Sequence, residues 1–286
     1  MRPQLTSPAN GERSAATAAD GTAGVSIGLT GIRHGFAKNG RVVRALWDLD
    51  LDIAPGEFVS VVGPSGCGKT TLLTMVAGLD RPRVGAVTVD GKPVTGPSNQ
   101  VAYMLARDAL LPWRTVRGNV EYGLTIRRID KAERRRRSTE WLDRVGLRDF
   151  ADARVGELSQ GMRQRVAVAR TLALQPSILL MDEPFAALDA QNRLIQQQEF
   201  LKLWERIRST VILVTHDLHE AIMLSDRVVL ISHRPGQVIA DLRIELPRPR
   251  GQEVRHNPLF EKYYDDLYGL LTAEVRAQVT EVEEQR

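Results

Sequence analysis

The stretch "FVSVVGPSGCGKTTLLTMVAG", Phe58 to Gly78, decides the fold. Its first five residues are almost wholly apolar and read as a strand buried on both faces. "GPSGCGKT" then satisfies the pattern G-x-x-x-x-G-K-[ST]. "KTTLLTMVAGLD" follows as a helix closed by Gly78. An apolar strand, a glycine-rich loop and a helix N-terminus in that order make a nest of backbone N–H groups for phosphate. The loop residues Gly63, Pro64, Ser65, Gly66, Cys67, Gly68, Lys69, Thr70 and Thr71 are the predicted phosphate binders. Lys69 reaches the β- and γ-phosphates and the Thr70 hydroxyl ligates Mg²⁺. Cys67 is a spacer.

Toward the N-terminus, "VSIGLTGIRHGF" and "ALWDLDLDI" alternate and read as strands, with a turn at Pro55-Gly56. Residues 1–24 are rich in Ala, Thr, Ser and Gly and carry almost no large apolar residues. They cannot offset their own ordering entropy and read as a disordered tail. They also lack the apolar core of a secretory signal.

Toward the C-terminus, "GAVTVDGKPV" is a hairpin turning at Asp90-Gly91. From about 107 to 160 the pattern is helical and polar, and includes Arg134–Arg137, read as a solvated helix face. "SILLMDEP" and "TVILVTHD" are short buried strands with the helix "AQNRLIQQQEFLKLWERIR" between them. Strands alternating with helices imply a parallel sheet with right-handed crossovers. "DRVVLIS" and "GQVIADLRIEL" close the unit as antiparallel strands. After the break at "LPRPRG", residues 251–286 form a helical extension. Asn257 caps it, Pro258 opens it, and Phe260, Tyr263, Tyr264, Leu267, Leu270, Leu271 and Val275 share one face.

Hydrophobic residues at 43% and charged residues at 26% fit a globular chain. The net charge of +4 suits an anionic partner without choosing among them. The lone cysteine excludes a disulfide framework or a cysteine metal cluster. No apolar run is long enough to span a bilayer.

The chemistry gathers at strand ends. "ILLMDEP" delivers Asp182 and Glu183 where ligands sit in open α/β sheets. Asp182 would hold Mg²⁺ through water, and Glu183 would polarise an attacking water. His216 emerges from the next strand as a γ-phosphate contact, with Asp217 placed to orient its ring. "LSQGMRQRVAVAR" is a second phosphate-facing helix start, with Ser159 as its cap and Gly161 leaving the backbone bare. Two such starts in one chain, with no base-recognition pattern at the second, predict two copies arranged head to tail. Each nucleotide then lies between one copy's phosphate loop and the other's "LSQGM".

Walker A "GPSGCGKT", signature "LSQGMRQR", Walker B "ILLMDEP", D-loop "ALD" (Ala187 to Asp189) and "THD" (Thr215 to Asp217) occur in the order of an ABC transporter ATPase subunit, which the chain strongly resembles. "DALLPWRTVRGNV", "GMRQRVAVARTLALQPSILLMDEPFAALDA" and "LPRPR" narrow the resemblance to nitrate/sulfonate/taurine-type importers. It implies an α/β P-loop NTPase fold with a RecA-like parallel-sheet core, an antiparallel β subdomain and a helical signature lobe. The ABC ATPase domain would span 25–250. The resemblance further implies ATP and Mg²⁺ as cofactors and an ATP-driven dimer of like or paired subunits. The partners would be a membrane permease and an extracytoplasmic solute-binding protein. "LLPW" reads either as an exposed docking lip for the permease or as core packing by Leu111 and Trp113. The place would be the cytoplasmic face of the inner membrane.

In this family Ser159, Gln160 and Gly161 would touch the other subunit's γ-phosphate. Glu183 would be the catalytic base, His216 the γ-phosphate sensor and Asp189 the link between sites. Phe36 would stack on adenine. Gln160 stands where the signature usually has a second glycine. Leu105-Ala106 stand where the family has Phe-Gln, so Ala106 cannot supply that glutamine's oxygen to Mg²⁺ and water. That departure predicts altered coupling with hydrolysis kept. The competing reading, a non-transport ABC ATPase acting on nucleic acid or ribosomes, would carry heptad insertions, zinc cysteines or basic-aromatic strands. The sequence has none, so no nucleic-acid partner is expected.

Overall fold

A computed structural model describes residues 24–38, 41–105 and 108–284. The expectations for Ala106 and for all but the last residue of the N-terminal tail lie outside them. In chain order, β1 (Ile27–Lys38) and β2 (Arg41–Ile53) precede β3 (Phe58–Val62), which leads through the glycine loop into α1 (Lys69–Val76). Next come β4 (Val84–Val89), β5 (Lys92–Pro93) and β6 (Val101–Met104). The helices α2 (Val116–Ile126), α3 (Lys131–Arg144) and α4 (Gln160–Leu172) follow. Then β7 (Ile178–Asp182), α5 (Ala190–Ile207), β8 (Thr210–Val214), α6 (Leu218–Leu224) and β9 (Arg227–Ile231) alternate. The chain ends with β10 (Val238–Arg243) and α7 (Pro258–Glu284).

The strands form two sheets, one antiparallel in the order β2-β1-β4-β5 and one in the order β10-β9-β3-β8-β7-β6. Asp90 and Gly91 turn the β4–β5 hairpin at φ +48° and +72°, the left-handed pair that matches strand twist. In the larger sheet β9, β3, β8, β7 and β6 run parallel and β10 antiparallel to β9. The sequence places β9 in a closing antiparallel pair. It does pair that way with β10, and it is also a buried parallel strand beside β3.

The larger sheet is covered on both faces, which explains its continuous apolar runs. Alternate residues enter different cores. Phe58, Val62, Leu179, Met181, Val211 and Leu213 pack with the helical layer, including Trp141, Leu142 and Trp204. Val59, Val61, Ile178, Leu180, Ile212 and Val214 pack with α1 and the antiparallel sheet. Period-two alternation thus sets the two layers against one rigid platform.

The helix starts follow capping chemistry. Thr115 caps α2, Asp130 α3, Ser159 α4, Asp189 α5 and Asp217 α6, each accepting a backbone N–H with its side chain. On α3, Arg136 and Arg137 pair with Glu133 at 2.7 Å, and the resulting hydrogen bonds hold its carboxyl down at about 2. Of the run read as a solvated face, Arg135 and Arg136 are exposed, while Arg134, donating to Ile129 O at 2.8 Å, and Arg137 are half buried. Asn257 Oδ1 accepts the Leu259 N–H at 2.9 Å at the start of α7. Phe260 and Leu267 of α7 are buried in the helical-side core and Tyr263, Tyr264 and Leu271 pack against it, but Leu270 and Val275 are exposed. The predicted apolar face is therefore too wide, because α7 rests on α6 along a narrow stripe only.

Candidate active site

Strands β3, β7 and β8 run parallel and end together, so Val62, Asp182 and Val214 reach one edge of the sheet. The glycine loop leaves that edge. Gly68 has φ +107°, and an added Cβ would lie 2.7 Å from Leu46 Cδ2, so the loop's final turn needs glycine. Lys69 is buried at the start of α1, and its ammonium donates to the carbonyls of Gly63 and Pro64 at 2.8 Å each. Cys67 is buried beside it, and burial pushes the thiol above its usual range.

A cavity of about 340 Å³ opens over this loop. Ser65, Gly66, Gly68, Lys69, Thr70, Thr71 and Glu183 line it, as do Phe36, Val43, Ala45, Val214 and Arg234. Phe36 is 46% exposed and meets His34 edge-on at 4.7 Å, so an aromatic face stands at the cavity wall. Gly63 and Pro64 stay outside the lining and serve through their carbonyls.

The acidic residues fall where the strand end puts them. The Thr70 hydroxyl donates to Asp182 Oδ2 at 3.0 Å, and the Tyr103 hydroxyl donates to the same oxygen at 3.4 Å. Burial raises the Asp182 carboxyl, the neighbouring Glu183 charge adds to it, and the Thr70 and Tyr103 hydrogen bonds oppose both. Burial, and then the Asp182 charge, push Tyr103 well above a phenol's usual range. Glu183 lies at φ +48°, a backbone region sparse for a side chain of this size. Its N–H donates to Val214 O at 2.9 Å and its carboxylate lies 3.3 Å from His216 Nδ1. The left-handed turn swings Glu183 out of the line of Asp182, so consecutive carboxylates face different partners.

Asp217 does not orient the His216 ring. Its Oδ1 caps α6 by accepting the Glu220 N–H at 3.1 Å, and its Oδ2 faces Arg193 at 3.5 Å. The ring's acidic partner is Glu183, because helix capping claims the carboxylate of Asp217. Next to them Glu220 is buried, accepting from Gln197 Nε2 at 2.9 Å and from the Thr215 hydroxyl.

Ser159, Gln160 and Gly161 take no part in the cavity lining. Ser159 Oγ accepts the Met162 N–H at 3.3 Å, and Gln160 Nε2 donates to Ala187 O at 2.5 Å. The substituted Gln160 thus binds the start of α4 to the segment before Asp189. Asp189 accepts from Asn192 N and Nδ2 at 3.0 and 2.6 Å, which holds its carboxyl below the usual range. Gln100 lies in the turn before β6, away from any role in place of the missing glutamine.

Two polar side chains at the site escaped the sequence reading. Tyr103, which reaches Asp182 from outside the cavity lining, sits mid-pattern in an apolar strand and gave no signal. Arg234, in "SHRPGQ", is one arginine among many, and only long-range folding brings it to the loop.

Residues 46–186 match the family described as ABC transporter. An uncharacterized ABC transporter ATP-binding protein of Methanocaldococcus jannaschii is 48% identical over 84% of this chain and 89% of its own length. The nitrate import ATP-binding protein NrtD of Synechocystis sp. is 43% identical over 82% of this chain and 90% of its own. The taurine import ATP-binding protein TauB of Yersinia pestis is 42% identical over 79% and 90%. A solved dimeric ATP-binding cassette in a post-hydrolysis state with ADP and phosphate superposes at a TM-score of 0.67. It is 31% identical and covers 77% of this chain and 99% of its own. A phosphate loop, two differently directed carboxylates and a histidine on one sheet edge, in a chain related along most of its length to such proteins, place it in the ABC transporter ATP-binding family.

Proposed function

We propose that this ATPase powers uptake of a small solute of the nitrate, sulfonate or taurine kind, as the energising subunit of a membrane importer. The observation that carries the reading is the convergence of Lys69, Thr70, Asp182, Glu183 and His216 on one sheet edge. Thr70 and Asp182 offer hard oxygen donors 3.0 Å apart. Among the described residues no cluster of three or more His, Cys, Asp or Glu could hold a metal by itself. That set fits Mg²⁺, which keeps waters and shares phosphate oxygens with its nucleotide. When bound, the ion would neutralise charge on the phosphates.

The chain's own residues divide the remaining work. Lys69 and the loop N–H groups hold the phosphates, and Phe36 offers its face to adenine. Glu183 accepts a proton from the attacking water, and His216, held by Glu183, contacts the γ-phosphate. Ser159, Gln160 and Gly161 lie outside the cavity, which favours their service to a second subunit's nucleotide, with Asp189 as the link between sites. Trp113, 69% exposed, and Leu105 offer an apolar lip for a permease's cytoplasmic segment, while Leu110 takes the core position and Leu111 is half buried. We place the subunit on the cytoplasmic face of the membrane, supplied by an extracytoplasmic binding protein.

The test is a tagged pull-down from native membranes in mild detergent. A polytopic permease and a solute-binding protein should co-purify, and that binding protein should be stabilised thermally by one of these solutes. Recovery of ribosomes or DNA without a membrane partner would sink the importer reading.

A further inference from the structure

The loop between β9 and β10, "SHRPGQ" from Ser232 to Gln237, joins two walls of the site to the C-terminal helix. Arg234 donates through Nε and Nη2 to the carbonyl of Gly66, at 2.9 and 2.7 Å. Gly236 donates to Ala45 O at 2.8 Å and accepts from Trp47 N at 3.0 Å, fixing the loop to the β2 wall of the cavity. A Cβ on Gly236 would fall 2.2 Å from Cys67 O, so the loop lies directly on the phosphate loop. On the other side, His233 binds Glu274 of α7 twice, through its backbone N–H at 3.0 Å and its Nδ1 at 2.8 Å.

Two features separate Arg234 from an ordinary surface arginine. It forms no ion pair with a carboxylate among the described residues, so its charge is not neutralised locally. It is also exposed into the cavity that Lys69 and Thr71 line. Two of its five N–H donors are used on Gly66, and three remain. A guanidinium chelating a loop carbonyl fixes both itself and the loop.

We propose that Arg234 is a nucleotide-binding residue, a second fixed cation for the phosphate chain of a nucleoside di- or triphosphate, and that α7 positions it through Glu274 and His233. Arg234 latches the phosphate loop at Gly66, the turn just before Lys69. Gly66 is at φ +76°, and a Cβ there would meet the guanidinium at 2.8 Å. Glu274 lies outside the cavity lining and acts through the loop. The C-terminal helix thereby bears on nucleotide affinity from outside the site.

This inference rests on the reading of the cavity as the ATP site. The experiment measures ATP and ADP affinity by calorimetry on the full chain, for the wild type and for Lys69→Ala, Arg234→Ala, Arg234→Lys, Glu274→Gln and Arg234→Ala/Glu274→Gln. Arg234→Ala should weaken both nucleotides by about tenfold, raising the KM for ATP with little change in kcat. Arg234→Lys, which keeps the charge and loses the chelate, should recover part of the loss. Glu274→Gln should weaken binding by about two- to threefold, and the double variant should match Arg234→Ala alone, since Glu274 acts through it. Unchanged affinity in Arg234→Ala, or a fall in kcat at constant KM, overturns the role of Arg234. Additive losses in the double variant overturn the role of α7. A wild type that binds no ATP, or a Lys69→Ala variant that binds it normally, removes the ATP-site reading itself.

Discussion

At the scale of single residues, contact geometry ranks the acidic site. Glu183 lies 3.3 Å from His216, out of line with Asp182, and among the described residues no hydrogen bond to a structural donor occupies its carboxylate. Glu183→Gln should lower ATP turnover by about 10²–10⁴-fold while keeping ATP binding, read by steady-state assay beside calorimetry. Tyr103 touches Asp182 at 3.4 Å, a long bond beside the 3.0 Å one from Thr70, so Tyr103→Phe should change turnover by less than about threefold. Glu220 makes a different prediction. Burial pushes its carboxyl up to about 7, against the Thr215 and Gln197 hydrogen bonds that favour its charged form. Its folded value lies above the ordinary 4.5, so the folded state holds a proton that the unfolded state has released between those two values. Stability from this group is full below pH 4.5 and falls as pH rises through 7, by about 1.4 kcal/mol per unit inside the window. Denaturant melts of the wild type should show that decline, and Glu220→Gln should flatten it. A variant with the same slope would assign the decline to another group.

At the scale of elements, what was legible in the sequence was local. Strand β3, its loop and α1 follow from alternation, glycine spacing and a closing Gly78, and the hairpin from Asp90-Gly91. The site residues at strand ends followed from the same rule, since a parallel sheet brings its C-terminal ends together. What the sequence hid was anything set by a partner far along the chain. Asp217 looked free to serve His216, yet the start of α6 needed its oxygen. Leu270 and Val275 had the right period but no surface to cover. The "LPRPRG" break read only as irregular, and the structure gives it a task. Arg250 is buried and donates to Ile222, Ser225, Ile244 and Leu246 carbonyls at 2.9, 2.6, 3.2 and 3.1 Å, closing the end of α6 onto the chain leaving β10. Burial lowers its guanidinium to about 10, still protonated at neutral pH. Arg250→Ala would leave several buried carbonyls without donors, so unfolding free energy should drop by about 3 kcal/mol or more in urea titrations. A loss below about 1 kcal/mol would show that water replaces the guanidinium there.

At the scale of the whole molecule, the decisive fact is a separation. The phosphate loop and Glu183 share a cavity, with Asp182 bonded to Thr70 beside it, whereas Ser159 and Gly161 start α4 outside its lining. Ser159 still presents a helix N-terminus, whose partial positive charge favours an anion. A head-to-tail pair of chains would bring that terminus to a partner's nucleotide and form two equal sites. The arrangement predicts complementation. Lys69→Ala lacks the phosphate-binding ammonium, and Ser159→Arg blocks the signature helix start with a bulky side chain. Each variant alone should have almost no ATPase activity, because both of its sites carry the lesion. In a mixed dimer the two lesions fall in one shared site, and the other keeps an intact phosphate loop from one chain and an intact signature from its partner. Mixing the inactive variants should therefore restore turnover as mixed dimers form, up to the fraction of sites left whole. If each site were built within one chain, every chain in the mixture would still carry a lesion and no activity would return. The mixture thus reads out directly whether the second helix start serves the neighbour's phosphate.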